Sequence, residues 1–495
     1  LPVREHAKKI DKALSDIKVC DPAIGSGAFP VGLLNEIVNA RQALAQHSGN
    51  KQSAYELKRH AIAECIYGVD IDASAIDIAR LRLWLSLIVD EEDYDTIEAL
   101  PNLDYKIVQG DSLVGFPENW RSPAFEKIEK MKKQFFQETS HQKKTELKQR
   151  IDTEIQKRLD NSKKYFGYKI DFDFRLFFSE VWHNKTGFDV VIGNPPYVQI
   201  QKFSGQQIQK DFEAQQFETF TKTGDIYCLF YEKGYRLLRE RGVLAFITSN
   251  KWMRAGYGEK LRRFFSEKTQ PLTLIDFSSF QVFATATVDT NVLLFGKQRR
   301  THGVRSCLID RSFTRFTPLE TFVAKKSFEL DDLSGESWVI SNKAEYEIKK
   351  QIEKIGTPLN KWDIAIYRGI LTGFNEAFII DGKKKEELIA QDPKSAEIIK
   401  PLLNGRDIKR YQLQLSDSWL LFIPWHFPLH ENLSITGASS EAESILKIDY
   451  PKIYDYLLGF KDKLSNRNKS ETGIRYEWYA LQRCAASYYK EFDKQ

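Results

Sequence analysis

IKVCDPAIGSGAFPVGLL, residues 17–34, passes from a short β-branched run through a glycine-containing turn into an apolar pattern with helical spacing. Gly25 and Gly27 let the chain turn sharply and bring backbone N–H groups close to a ligand. The helix that starts near Phe29 offers its positive end at the same point. Such a turn is by itself a weak signal, shared by many nucleotide binders, so its meaning depends on what surrounds it.

Outward from this stretch, β-branched runs alternate with helical patterns over the first 300 residues. Candidate strands are Ile17 to Cys20, Cys65 to Val69, Tyr105 to Val108, Asp189 to Ile192, Val243 to Thr248, Leu272 to Asp276 and Val288 to Phe295. Between them, Leu33, Leu34, Ile37, Val38 and Leu44, then Ile76 to Val89, then Ile226 to Leu238, carry helical spacing. That alternation predicts an α/β fold: a doubly wound, mostly parallel, seven-stranded Rossmann-like sheet with ligands at the carboxyl ends of the strands. Residues 121–170 break it with 14 Lys or Arg against 7 Asp or Glu in a polar helical pattern. This reads as a charged helical insertion, either a solvated hairpin or a basic arm touching a phosphate backbone. Near residue 300 the periodicity becomes irregular and aromatic. The predicted organisation is a domain over 1–300, a linker over 301–345, and a mixed α+β domain over 346–495.

The 495 residues, 42% hydrophobic and 28% charged, exclude a disordered chain and leave room for large cores. With 73 basic against 68 acidic side chains, the balance permits a nucleic-acid partner without demanding one. Cys20, Cys65, Cys228, Cys307 and Cys484 are odd in number and never in a C-x-x-C pair. They read as reduced, mostly buried thiols of a cytosolic protein, with no disulfide framework and no metal site. No apolar run is long enough to span a bilayer.

Two further features stand at strand ends. YGVDID places Asp70 after the second strand and QGDSL places Asp111 after the third. Each alone is an ordinary helix cap or turn former. Around one glycine turn they describe an adenosine pocket. The interval from Gly27 to Asp70 is longer than the dinucleotide fingerprint requires, which argues against NAD. The fourth strand runs into GNPPY, residues 193–197, where two prolines end the strand in a stiff loop that holds one amide and one aromatic ring.

DPAIGSGAF, GVDID, GDSL and GNPPY, in this order, resemble the S-adenosylmethionine-dependent N6-adenine DNA methyltransferases whose cofactor motif precedes the catalytic one. The length and the C-terminal half resemble the large methyltransferases of restriction-modification systems. The likeness covers residues 15–300 well and the rest loosely. It implies that Asp21, Pro22, Ala23, Gly25 and Gly27 line the methionine part of the cofactor. Asp70 would hold its ribose, Ile71 would pack on its adenine, and Asp111 and Ser112 would meet the same ring. Asn194, Pro195, Pro196 and Tyr197 would form the catalytic corner, with Asn194 also bordering the cofactor. Phe283 or Phe295 would complete a sandwich around a flipped base. The partner implied is double-stranded DNA, read by a monomer.

Two departures stand out. The helix that precedes the glycine motif in this family is represented only by LPVREHAKKIDKAL, and there is no PD…D/E-x-K nuclease signature, so a nuclease is expected on a missing N-terminal part of the polypeptide. Within IYRGILTGFNEAFIID and IIKPLLNGRDIKRY, which resemble target-recognition segments, Arg368, Arg406, Lys409 and Arg410 are candidates for DNA contacts, with Tyr411 and Trp419 adding aromatic surface. N-P-P-Y also serves enzymes that methylate RNA amines or a protein glutamine amide. A non-catalytic DNA specificity module is the third reading. The four motifs at strand ends favour the DNA methyltransferase.

Overall fold

The computed structural model describes the chain except residues 1, 90–102, 121–123, 284–287, 332, 334–336, 365–368, 415, 433 and 484–495. It contains two compact units, Leu1–Gly356 and Thr357–Gln495.

The first unit is built on a sheet of nine strands: β1 (Val19–Asp21), β2 (Ile66–Asp70), β3 (Ile107–Gln109), β4 (Phe188–Gly193), β5 (Leu238–Ser249), β6 (Gln270–Asp276), β7 (Thr290–Gly296), β8 (Val304–Leu308) and β9 (Phe328–Leu330), in the order β3-β2-β1-β4-β5-β7-β6-β8-β9. The pairs from β3 through β5 and the pair β6–β8 are parallel, whereas β7 is antiparallel to both its neighbours and β9 to β8. All seven expected strands are present. Two more extend the sheet, so the stretch expected as a linker over 301–345 instead carries β8, β9 and the helix Leu319–Lys326. Those strands are too short, at 5 and 3 residues, to stand out from an irregular segment; β8 takes its conformation by pairing with β6, and β9 by pairing with β8. The helix Lys343–Ile355, expected in the C-terminal domain, belongs to the first unit.

The central strands read as continuous apolar runs because both faces are covered. One polar residue within them, Asp189, is satisfied on all sides: it accepts from the Lys18 amide at 2.7 Å, from Lys185 Nζ at 2.7 Å and from Arg239 Nε at 2.5 Å. The helices Ala28–Ser48 and Ala73–Ile88 supply buried Leu34, Ile37, Val38, Ile76, Ala79 and Leu83 to one core cluster, and Ile226–Leu237 supplies Tyr227, Leu229 and Tyr231 to another.

The charged insertion forms the helices Ala124–Gln137 and His141–Leu159 followed by the short Ser162–Phe166. It is not merely a solvated hairpin. Ile128, Met131, Phe135, Ile151, Ile155 and Leu159 form an apolar seam that joins the main core. Several of its cations are paired with carboxylates: exposed Lys127 with Glu154 at 2.7 Å, partly exposed Lys148 with Asp104 at 2.6 Å, and buried Lys132 with Glu180 at 2.8 Å.

The second unit is mixed α+β. Ile379–Ile380, Trp419–Leu421 and Ile399–Pro401 form a three-stranded antiparallel sheet, packed with the helices Gly382–Gln391, Ser440–Asp449 and Pro451–Leu458 around Phe378, Leu421, Ile423, Leu446, Ile453 and Leu457.

Candidate active site

The chain order turns back at β1: β2 lies on one side of it and β4 on the other, so a crevice opens between the carboxyl ends of β1 and β4. Asp21 is the last residue of β1, and the turn after it is held in an unusual backbone. Gly27 has φ of 80° and caps the helix Ala28–Ser48; a Cβ there would lie 3.1 Å from Ala79. Gly25, with φ of 50°, faces open space, and its N–H donates to Asp70 Oδ2 at 2.8 Å. The other Asp70 oxygen accepts from the Asp72 amide at 3.0 Å. Asp70 therefore fixes the glycine turn from the neighbouring strand.

Asp21 is 1% exposed. Its Oδ1 accepts from the Ala23 amide at 3.0 Å, while its Oδ2 is buried without a hydrogen-bond partner. Burial first, with the nearby Asp70 charge adding to it, pushes the carboxyl up to about 8 against the pull of the Ala23 N–H. An acceptor left unmet in this way costs roughly 1–3 kcal/mol, more for a charged group, and is tolerated where a ligand completes it.

Asp111 Oδ1 accepts from the Leu113 and Val114 amides at 2.8 and 3.4 Å, and burial raises its pKa. Ser112 is buried and its hydroxyl donates to the Pro22 carbonyl at 2.6 Å, so it ties the end of β3 to the glycine turn instead of presenting its oxygen to the crevice. Ile71 is 71% exposed, an apolar side chain standing in solvent beside Asp70.

The corner at Asn194 abuts this turn. A Cβ on Gly193 would meet Asp21 Oδ1 at 2.6 Å, so only glycine lets β4 pass that carboxyl. Pro195 is buried, Pro196 exposed, and Asn194 and Tyr197 are partly exposed. The Tyr197 hydroxyl donates to Asn194 Oδ1 at 2.7 Å, with the Ile247 carbonyl at 3.3 Å, and its ring stands edge-on to Tyr227 at 5.9 Å. Burial raises the phenol pKa, so the proton stays on the donor. Of the two aromatics expected across from Tyr197, Phe295 does not qualify: it is fully buried on β7, 5.6 Å from Phe265 in the core, because its period-2 position points away from the crevice. Phe283 is half-buried in the segment between β6 and β7.

Sequence reasoning missed Asp225. In TGDIYCLF it reads as an ordinary cap before an apolar helix. The structure bridges it to Gln199, two residues beyond Tyr197, and bonds the Ile226 amide to the Val198 carbonyl at 2.9 Å.

In the second unit, Arg406, Lys409, Arg410 and Tyr411 are exposed around a hairpin, Ile408–Lys409 with Gln412–Leu413, whose tip puts Tyr411 at φ of 64°. The hairpin base is braced by buried Asp407, which accepts from the Asn404 amide at 2.8 Å and the Ser416 hydroxyl at 2.7 Å. Trp419 is part of the sheet, with Lys385 Nζ 3.4 Å above its ring. Arg368 lies outside the described residues.

A glycine turn and three acidic strand ends beside an Asn-Pro-Pro-Tyr corner, on this sheet, define the class of S-adenosylmethionine-dependent methylases. Residues 64–283 match the model of the Eco57I restriction-modification methylase family, whose members use S-adenosylmethionine. The chain is 25% identical to the type II restriction enzyme and methyltransferase RM.Eco57I of Escherichia coli over 98% of its own length and 46% of that protein. It is 23% identical to the type II methyltransferase M.BstVI of Geobacillus stearothermophilus over 57% of this chain and 49% of that one. Among solved structures it is similar to the type IIL restriction-modification enzyme MmeI in complex with DNA, with 14% identity, a TM-score of 0.49, and 97% of this chain and 54% of that one covered. The chain thus spans about half the length of these relatives. No helix among the described residues is long and apolar enough to cross a membrane.

Proposed function

We propose that the chain transfers a methyl group from S-adenosylmethionine to N6 of an adenine flipped out of double-stranded DNA, as the modification activity of a restriction-modification system. The observation that carries this reading is the contact between the two corners. The glycine turn with its half-satisfied Asp21 and the Asn194 loop meet across Gly193 at the switch point of the sheet.

The chain's residues fit the cofactor. The unpartnered Asp21 oxygen suits the ammonium of its methionine part, whose positive charge would favour release of the Asp21 proton; Asp70 stands where a ribose hydroxyl donates, and Ile71 offers an exposed apolar face to the adenine ring. When bound, the cofactor supplies an electrophilic sulfonium methyl. Asn194 Oδ1 and the Pro195 carbonyl are the acceptors that hold the two N6 protons of the target base and draw the nitrogen towards tetrahedral geometry. The lone pair, otherwise delocalised into the ring, would thereby be localised on the nitrogen and available to the methyl donor. Positioning and electrostatics do this work and no strong base is needed. Tyr197 stacks on the flipped base, a contact worth about 1–3 kcal/mol that offsets the cost of unstacking. Asn194 Oδ1 has two lone pairs, so the Tyr197 hydroxyl and an amine proton can share it.

The test is incubation with labelled S-adenosylmethionine and, separately, duplex DNA, ribosomal RNA or a release factor. Label in N6-methyladenine of DNA supports the reading. Label in RNA or in a glutamine amide, with DNA unlabelled, replaces it.

A further inference from the structure

Asp225 precedes the helix Ile226–Leu237 in the position where an aspartate normally caps; the Ile226 and Tyr227 N–H groups pull on its carboxyl, but neither makes an aligned capping hydrogen bond. Its Oδ1 is buried and has no hydrogen-bond partner. An unmet buried carboxyl oxygen is costly unless a ligand completes it. The backbone around Asp225 is at the same time held firmly to the catalytic loop. It bridges Gln199, the Ile226 amide donates to Val198 at 2.9 Å and the Ile200 amide donates to Gly224 at 2.9 Å. Three tyrosines stand around it. Tyr197 is edge-on to Tyr227, whose hydroxyl meets that of Tyr257 at 2.7 Å. A carboxyl group pinned beside the corner, partly exposed and left with a free oxygen, is a recognition group awaiting a ligand.

We propose that Asp225 is a further residue of the target-base site, where its carboxyl group hydrogen-bonds a ring nitrogen of the flipped base. This rests on the function proposed above. The ring nitrogens of adenine available at its edges are acceptors, so the carboxyl must be the donor. Its surroundings favour that form. Burial raises its pKa, against Lys251 and the backbone N–H groups of Val198, Ile226 and Tyr227, which lower it. The remaining groups facing it, Tyr197, Tyr227, Tyr257 and Cys228, all have pKa values raised by burial and carry no charge at neutral pH. A neutral carboxyl that donates to adenine rejects bases presenting a donor at the same position.

The test compares Asp225→Asn, which keeps a donor but does not titrate, with Asp225→Leu, on the full chain and a duplex methylated by the unaltered protein. Asp225→Leu is expected to raise KM for that duplex at least 10-fold with S-adenosylmethionine affinity and unfolding midpoint unchanged. If the carboxyl donates in its neutral form, the unaltered protein is expected to raise its KM for the duplex as pH rises, and Asp225→Asn, which keeps a donor, is expected to lose that pH dependence while staying closer to the unaltered KM than Asp225→Leu. Unchanged KM in both variants, or a pH profile identical in Asp225→Asn and the unaltered protein, overturns the assignment. An unaltered protein that methylates no DNA adenine overturns the functional reading and this assignment together, whereas normal methylation with unaffected variants removes Asp225 alone.

Discussion

The Tyr197 hydroxyl donates a 2.7 Å hydrogen bond to Asn194 Oδ1, so the oxygen proposed to receive an amine proton is already oriented by the ring proposed to stack on the base. Two roles assigned to separate residues are thereby linked. Asn194→Ala is expected to abolish methyl transfer while leaving S-adenosylmethionine affinity nearly unchanged. Tyr197→Phe keeps the stacking face and loses only the hydroxyl, a bond worth about 1 kcal/mol, so kcat should fall roughly 5-fold with cofactor affinity intact. Single-turnover rates with calorimetric affinities check both, and undiminished turnover by Asn194→Ala would remove the central claim.

Asp21 sets a pH dependence whose sign follows from its raised pKa. In the folded chain the carboxyl holds its proton up to about 8, whereas in the unfolded chain it releases it near the ordinary 3.8. Between those values the folded state binds the extra proton, so stability falls as pH rises from about 4 to 8. Asp21→Asn removes that slope. Thermal unfolding at pH 5 and pH 8 should show a smaller decline for the variant, which should also bind S-adenosylmethionine less tightly because the free oxygen is lost.

The insertion is anchored by charge. Lys132 is 2% exposed, pairs with Glu180 at 2.8 Å and also donates to the Phe177 carbonyl. Removing one partner of such a pair costs about 3–5 kcal/mol. Lys106, 3.7 Å from the same carboxylate, softens the loss, so Lys132→Met should cost about 3 kcal/mol in urea unfolding. Lys157→Gln, on the exposed side, should change stability by less than about 0.5 kcal/mol.

For the exposed tip of the second unit, joint replacement of Arg406, Lys409 and Arg410 by Gln should weaken binding to all duplex sequences alike. It should also reduce the slope of log K against log salt by roughly 2–3, about 0.9 per phosphate contact. A change confined to one sequence would instead make these residues base readers.

A two-fold DNA site normally mirrors a two-fold protein. With one candidate catalytic corner and one candidate recognition region among the described residues, the expected product is one methylated strand within an asymmetric sequence. Mapping N6-methyladenine on both strands checks this, and methylation of both halves of a palindrome would point to a dimer.

The sequence by itself determined the parallel core of the sheet and which residues stand at the ends of its strands. Asp21, Gly25, Gly27, Asp70, Asp111 and Asn194 are legible because each follows a short apolar run, and the end of a parallel strand is where a ligand can reach the backbone. Tertiary structure alone decided which partners those residues and their neighbours take. Ser112 is adjacent to Asp111, but its hydroxyl is committed to Pro22, 90 residues away in sequence. Phe295 is as aromatic as Phe283, yet strand register turns it into the core. β8 and β9 have too little local preference to form without a paired neighbour, β6 for β8 and β8 for β9. Asp225 looks like a cap until the bridge to Gln199 sets it beside Tyr197. Local spacing records which face a residue occupies within its own element, whereas a hydrogen-bond partner far along the chain is chosen only when the elements pack.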